Sequence, residues 1–564
     1  MARRTRTRGA VLGAILALSF LLLWTSAARA DFTYQTQFGT SGPGLLSHPF
    51  GTAVSADGNS VYVGDQQHQR VVQFSRSGAF IRAWGTAGTA HGQFDGLDGL
   101  AVDHAGNVYT SECANSRVQK FAPDGTFLAA FGKNGGDGSS GTADGEFHCV
   151  IGVAIDPSGN IVVPDANNNR VQVLSPSGSF LTKFGSTGTA QGQLSDPEGV
   201  TTDIFGNVYV VECINRRISE FTETGTFIRI WGGLGVGNGQ FNCPESASVD
   251  PQGMVWVADE GNNRIQEFAP DGTFLAKFGK NGGDGTSGTG NGEFNEPEQI
   301  GFDCRSNAFV ADYGNNREQG FGLPGLPAPN CLVPSVNAGA SALPTSVTLN
   351  GTIGNDSQLA VYHFDFGPTS SYGVSTAPQT LAASASPVPV SANFASLAPN
   401  TTYHYRIIAT TFSGTTVSAD QTVITPGVRA VVSSAGQSAR RWREPRKPRS
   451  PRITRRVPTG TTFRFNLSAA GNVRFRFARR GPGRKVGKKC SAPNKRNRRR
   501  PRCTRSVPSG SFSFAGHAGL NKVRFQGRVS RRKKLKPGSY RLTITATSPG
   551  AAPSSSKLSF TIVR

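Results

Sequence analysis

An all-β chain of several domains follows from three features of the sequence. Short runs rich in Val, Ile, Thr, Phe and Tyr alternate with clusters of Gly, Asn, Asp and Ser, the pattern of strands and tight turns. Glycine reaches 70 of 564 residues, and few stretches carry the 3.6-residue apolar period of an amphipathic helix. A segment of similar sequence recurs six times before position 323. A chain of this length exceeds one hydrophobic core, so two to four domains are expected.

The N-terminus comes first. Arg3, Arg4, Arg6 and Arg8 precede an apolar run from Val11 to Trp24, followed by Ala28-Arg29-Ala30. Positive charge, a short apolar stretch and small residues at the cleavage positions describe a secretory signal over residues 1–30. The run is short for a membrane span. The mature chain is therefore expected outside the cell, without a transmembrane segment.

The repeats follow: VYVGDQQHQRVVQF, VYTSECANSRVQKF, IVVPDANNNRVQVL, VYVVECINRRISEF, VWVADEGNNRIQEF and AFVADYGNNREQGF. Their arginines, Arg70, Arg117, Arg170, Arg217, Arg264 and Arg317, are spaced by 47, 53, 47, 47 and 53 residues. The two longer steps contain KNGGDGSSGTADGEF and KNGGDGTSGTGNGEF, which read as surface turns. Each repeat has a leading run such as GVAID and a trailing run such as GTFLAKFG. Four short strands at this period make one blade of a β-propeller. The sixth repeat lacks its trailing run, and FTYQTQFG at Phe32 to Gly39 supplies one. The mature N-terminus should therefore provide the outer strand of blade six and remove the open sheet edge.

These segments resemble the NHL repeat family over about residues 32–322. They share its Pro-x-Gly-hydrophobic-Ala-hydrophobic-Asp strand, Gly-Asn turn, and Arg-hydrophobic-x-hydrophobic-Phe strand. The resemblance implies a six-bladed ring with an axial channel, here assigned to residues 31–331. The repeated pairs Asp65/Arg70, Glu112/Arg117, Asp165/Arg170, Glu212/Arg217, Asp259/Arg264 and Asp312/Arg317 then read as structural, because they recur in every blade. Asn115, Asn168, Asn215, Asn262 and Asn315 read as turn residues that tolerate left-handed backbone.

The cysteines fit the same frame. Cys113 and Cys213 follow the acid of a second-to-third-strand turn, while Cys149 and Cys243 precede inner strands. These loops share one face, so Cys113–Cys149 and Cys213–Cys243 should staple adjacent blades. Cys304 and Cys331 lie where the chain leaves the opposite face. Cys490 and Cys503 are neighbours in the C-terminal region. Four local pairs suit an oxidising compartment. Zinc is disfavoured because no CxxC spacing occurs.

Residues 332–426 lose charge and gain Thr, Ser and Val. Leu397-Ala398-Pro399-Asn400-Thr401-Thr402-Tyr403 resembles the fibronectin type III signature, which implies a β-sandwich with Tyr403 as the corner hydrogen bonder. Residues 427–456, with ARRWREPRKPRSPRITRR, are expected to be an extended Arg/Pro-rich linker. Residues 457–564 contain TTFRFNL, NVRFRFA, KVRFQGR and SYRLTITAT, and resemble basic Ig-like sandwiches of secreted bacterial proteins. Alternation of Arg with Phe or Val gives one apolar and one cationic sheet face.

Charge is unevenly divided. Residues 427–564 hold 37 Lys plus Arg against one acid, Glu444, so they carry +36 of a whole-chain +23. The mature part before them carries −18. An acidic front and a strongly basic rear imply different partners, or each other. Anionic cell-envelope polymers are the expected partner of the tail. Nucleic acid, the other polyanion a basic patch suggests, is disfavoured by export.

For the front, the informative position is the one after the inner-strand Pro or its equivalent. It holds Phe50, Asp98, Ile151, Glu198, Glu245 and Glu298. Asp98, Glu198, Glu245 and Glu298 should cluster at the channel mouth. Such carboxylates offer Ca²⁺ hard ligands or a cationic group a seat, though hydrated acids explain them as well, and no cofactor is assigned. Related propellers that act as lactonases or lyases carry an axial metal with carboxylate, Asn or His ligands. Here His48, His68, His91, His104 and His148 occupy only blades one to three, and no Gly-x-Ser-x-Gly, His-Glu-x-x-His or P-loop is present. The expectation is a secreted or cell-surface scaffold whose propeller binds protein or glycan. The alternative is a metal-dependent propeller lactonase or lyase.

Overall fold

The computed structural model describes residues 32–322, 330–444 and 458–564. The signal segment and the later half of the expected linker lie outside these residues. Residues 32–322 form six four-stranded antiparallel sheets. In blade one the order is Pro49–Val54, Ser60–Asp65, Arg70–Ser75 and Phe80–Trp84. Five blades follow this sequential order. In the sixth, Pro297–Phe302, Ala308–Asp312 and Arg317–Gly322 are completed by Thr33–Phe38, which pairs antiparallel with Arg317–Gly322. Inner strands pack against one another in succession, and that of blade six returns to that of blade one. The fold is a propeller closed by its N-terminal strand.

The core lies between blades. Tyr62 and Val71 of blade one, for example, meet Leu100, Val108 and Phe121 of blade two. Toward the axis, inner strands approach backbone to backbone. A Cβ at Gly51, Gly99, Gly152 or Gly199 would come within 3.0 Å of the next blade's carbonyl oxygen. That crowding explains the Pro-x-Gly pattern.

The repeated acid–arginine pairs form in all six blades, at 2.7–2.8 Å. Arg117 is fully buried and donates to the carbonyls of Thr89, Ala90, Gln93 and Gly136, so it ties down the connections on both sides. The adjacent asparagines act differently from the expected left-handed role. Positive φ falls one residue later, at Gln69, Ser116, Asn169, Arg216, Asn263 and Asn316. Asn115 instead donates to Glu112 (2.6 Å) and to the Gly88 carbonyl (3.1 Å), and Asn262 does the same with Asp259 and Gly235. The carboxylate needs that donor, which draws the asparagine inward and leaves its neighbour to make the turn.

Residues 335–424 form two facing sheets. Val347, Leu349 and Ile353 from one meet Phe364, Tyr405 and Ile407 from the other. The Tyr403 hydroxyl accepts a hydrogen bond from the Ala398 N–H at 3.0 Å.

The C-terminal region also has two sheets. One comprises Val432–Gln437, Thr461–Leu467 and Gly519–Phe525. The other is centred on Gly471–Val486, flanked by Gly538–Thr547 and Arg502–Gly516. The expected linker needs correction here. Val432–Gln437 pairs with Thr461–Leu467, and Arg441–Arg443 runs parallel to residues 561–563. Trp442 is wholly buried, stacked on Phe560. Its apolar ring overrides the surrounding arginines. In Gly471–Val486, Val473, Phe475 and Phe477 point inward while Arg474 and Arg476 are exposed. Disulfides join Cys113–Cys149, Cys213–Cys243, Cys304–Cys331 and Cys490–Cys503.

Candidate functional site

The mouth is assembled from three equivalent positions per blade. The first is the residue after the inner-strand Pro or its equivalent. The second lies two positions earlier: His48, Gly96, Cys149, Asp196, Cys243 or Glu296, each at positive φ. The third follows the acid of the next turn and includes Gln66, Cys113, Cys213, Glu260 and Tyr313. The left-handed backbone is held across blades. Asn316 accepts from the His48 N–H at 2.8 Å, Asn169 from Asp196 at 2.9 Å and Asn263 from Glu296 at 3.0 Å. Cys113–Cys149 and Cys213–Cys243 brace two further joints.

Asp98, Glu198, Glu245 and Glu298 all fall at this mouth; Glu198 is half-buried and the other three are buried. Asp98, Glu245 and Glu298 are only 5%, 8% and 4% exposed. Burial pushes the Asp98 carboxyl up to about 7, against hydrogen bonds from Gln66 (2.7 Å) and the Cys113 N–H (3.1 Å). Burial also raises Glu198 to about 7. Glu245 and Glu298 lie well above the carboxylate range because they are buried beside other carboxylates. The Glu198 carboxyl is among the neighbouring charges that raise Glu245. One oxygen of Glu198 and one of Glu298 have no hydrogen-bond partner. The charges that act most on these groups include Asp196, Glu260 and Glu296, which are also acidic.

Aromatic rings lie among these acids, and Gln66 donates to Asp98 and accepts from the Tyr313 hydroxyl at 3.4 Å. His48 lies 4.6 Å from Tyr313 between ring centres, and Phe50 meets Tyr313 edge-on at 6.3 Å. A narrow axial cavity below is lined by Phe50, Ile151, Glu198, Glu245 and Gln299. Gln299 closes it. Its oxygen accepts from Thr52 and Leu100 N–H at 3.1 and 3.0 Å, and its amide donates to Leu100 O at 2.8 Å. Sequence reading missed Gln299. It replaces the Gly of the Pro-x-Gly pattern, and that departure was the available signal.

Metal ligation fits poorly. Among the described residues, three ligand atoms gather within 4.8 Å only as Glu198 with Cys213 and Cys243, or as Cys243 with Glu245 and Glu260. Both groups spend a disulfide sulfur, a poor ligand for a hard cation. The propeller histidines add no further group.

Family models match parts of the propeller. The SMP-30/gluconolactonase/LRE-like region matches residues 44–132, and the NHL repeat matches residues 147–174 and 241–268. These matches support the NHL propeller family. No curated protein matches the chain. Among solved structures, a streptogramin B lyase is 16% identical, covering 51% of this chain and 97% of its own, with TM-score 0.37. Virginiamycin B lyase from Staphylococcus aureus is 15% identical, covering 52% and 100%, with TM-score 0.38. A gluconolactonase from Xanthomonas campestris is 15% identical, covering 52% and 97%, with TM-score 0.37.

Proposed function

We propose that the chain is an exported binding scaffold. Its propeller mouth takes a cationic group presented by a protein or glycan, and its basic C-terminal region holds it to anionic envelope polymers. The observation that carries the reading is the acidic mouth: largely buried carboxylates cluster beside the rings of His48, Phe50 and Tyr313. A cation entering there displaces protons from Glu198 and Glu245, gains charge-assisted hydrogen bonds and lies against ring faces. Four disulfides, and the lack of a long apolar helix among the described residues, are compatible with an extracellular site. Fibronectin-like and Ig-like modules beyond the propeller serve as spacer and anchor.

Calorimetric titration with basic peptides tests the mouth. Binding should release protons at pH 7 and weaken on Glu298→Gln. Titration without proton release, or an unaffected variant, removes the mouth from the reading. For the anchor, full-length protein should leave envelopes only at high salt, while a form ending at Pro426 should not be retained. Equal retention would assign anchoring elsewhere.

A second reading, a metal-dependent lactonase or lyase, draws on the match at residues 44–132 and the unpartnered oxygens of Glu198 and Glu298. A stoichiometric divalent metal, lost in Glu198→Gln and Glu298→Gln, would favour it.

A further inference from the structure

The C-terminal region carries an open strand edge and a cleft, apart from the propeller mouth. Among the described residues, strand Arg502–Gly516 pairs only with Gly471–Val486, and the next strand, Gly519–Phe525, only with Thr461–Leu467. The two strands follow one another in sequence yet belong to opposite sheets. The turn between them is held by Asn521, whose amide donates to the carbonyls of His517 (2.7 Å) and Gly519 (3.0 Å). Each strand therefore has one unpaired edge, and a cleft of about 500 Å³ opens between them.

The cleft has an ordered chemistry. Phe512, Phe514 and Val523 form its apolar part and pack on the domain core, with Phe512 5.1 Å from Phe475 between ring centres. Along Gly519–Phe525 side chains alternate. Asn521, Val523 and Phe525 turn inward, while Lys522 and Arg524 are exposed. The domain's one acid, Glu444, pairs with Lys534 at 2.7 Å, and no ion pair to Lys522 or Arg524 forms among the described residues.

We infer that the free edge of Gly519–Phe525 takes an extended segment of a partner protein in which apolar and acidic residues alternate. Backbone groups of an added strand would pair with the open edge. Side chains on one face would enter the cleft beside Val523, Phe512 and Phe514. Those on the other face would stand across from Lys522 and Arg524, where opposite charges favour pairing and like charges oppose it. A second copy of this edge is a poor occupant, because its own Lys522 and Arg524 would face the same cations. Cationic edge residues of this kind also block self-pairing.

The test uses the full mature protein and acetyl-Glu-Val-Glu-Val-Glu-Val-Glu-amide at a salt concentration that suppresses non-specific charge binding. Binding should protect the amides of residues 519–525 from hydrogen exchange. N-methylation of the peptide amides that face the edge should weaken binding about tenfold, while methylation of the alternate amides should not. Lys522→Glu with Arg524→Glu should weaken it by a similar factor, and both substitutions are on the surface. The proposal fails if hepta-glutamate binds equally well, if the methylated position makes no difference, or if protection appears elsewhere. Those results would leave only a cationic patch that binds anionic polymers.

Discussion

Asp98 offers a direct test of the buried mouth. Its carboxyl is 5% exposed and pushed up by burial from 3.8 to about 7. The folded state therefore holds this proton more tightly than the unfolded chain. The contribution is fully present below about pH 4, is lost as pH rises toward 7, and is level above that. A shift of this size corresponds to about 4 kcal/mol lost across the window. Asp98→Asn removes the charge but keeps one acceptor for Gln66 or the Cys113 N–H, at a cost of about 1 kcal/mol. The variant should be more stable than the parent by about 3 kcal/mol at pH 8, and slightly less stable at pH 4. Urea unfolding from pH 4 to 8 reads both. The slope that remains in the variant is shared by the other raised acids, which include Glu198, Glu220, Glu245, Glu298 and Glu318. If the two profiles superimpose, Asp98 is solvated or already ionised, and the account of a buried carboxyl with a raised pKa is wrong.

Other perturbations probe the frame. Arg117→Met leaves Glu112 buried without its cation and should cost about 3–5 kcal/mol in urea unfolding, with Glu112→Gln partly rescuing it. Replacing Cys213 and Cys243 together by Ser should lower stability by about 2–4 kcal/mol without unfolding the ring, as read by thermal melts and circular dichroism. Tyr403→Phe, which removes the acceptor for the Ala398 N–H, should cost about 1 kcal/mol in the same assay.

Much of the propeller was legible because it is repetitive. An arginine paired with an acid five residues earlier recurs in each blade, so one register located all six turns. A missing trailing strand in the last repeat pointed to FTYQTQFG, because sheet closure requires a partner for that edge. Equivalent positions likewise put Cys113 near Cys149 and Cys213 near Cys243. Local pattern failed where burial depended on distant residues. Trp442 sits among arginines, and only Phe525 and Phe560, over eighty positions away, draw its strand into a core. The asparagines of the turns read as left-handed residues until the neighbouring carboxylates claimed their amides. Asp98, Glu198, Glu245 and Glu298 were legible as a cluster but not as groups whose burial raises their pKa. Sequence determines that these acids recur on inner strands. Tertiary structure decides that blades crowd them together and bury most of them, with Gln299 closing the axis beneath, so that their chemistry belongs to the ring.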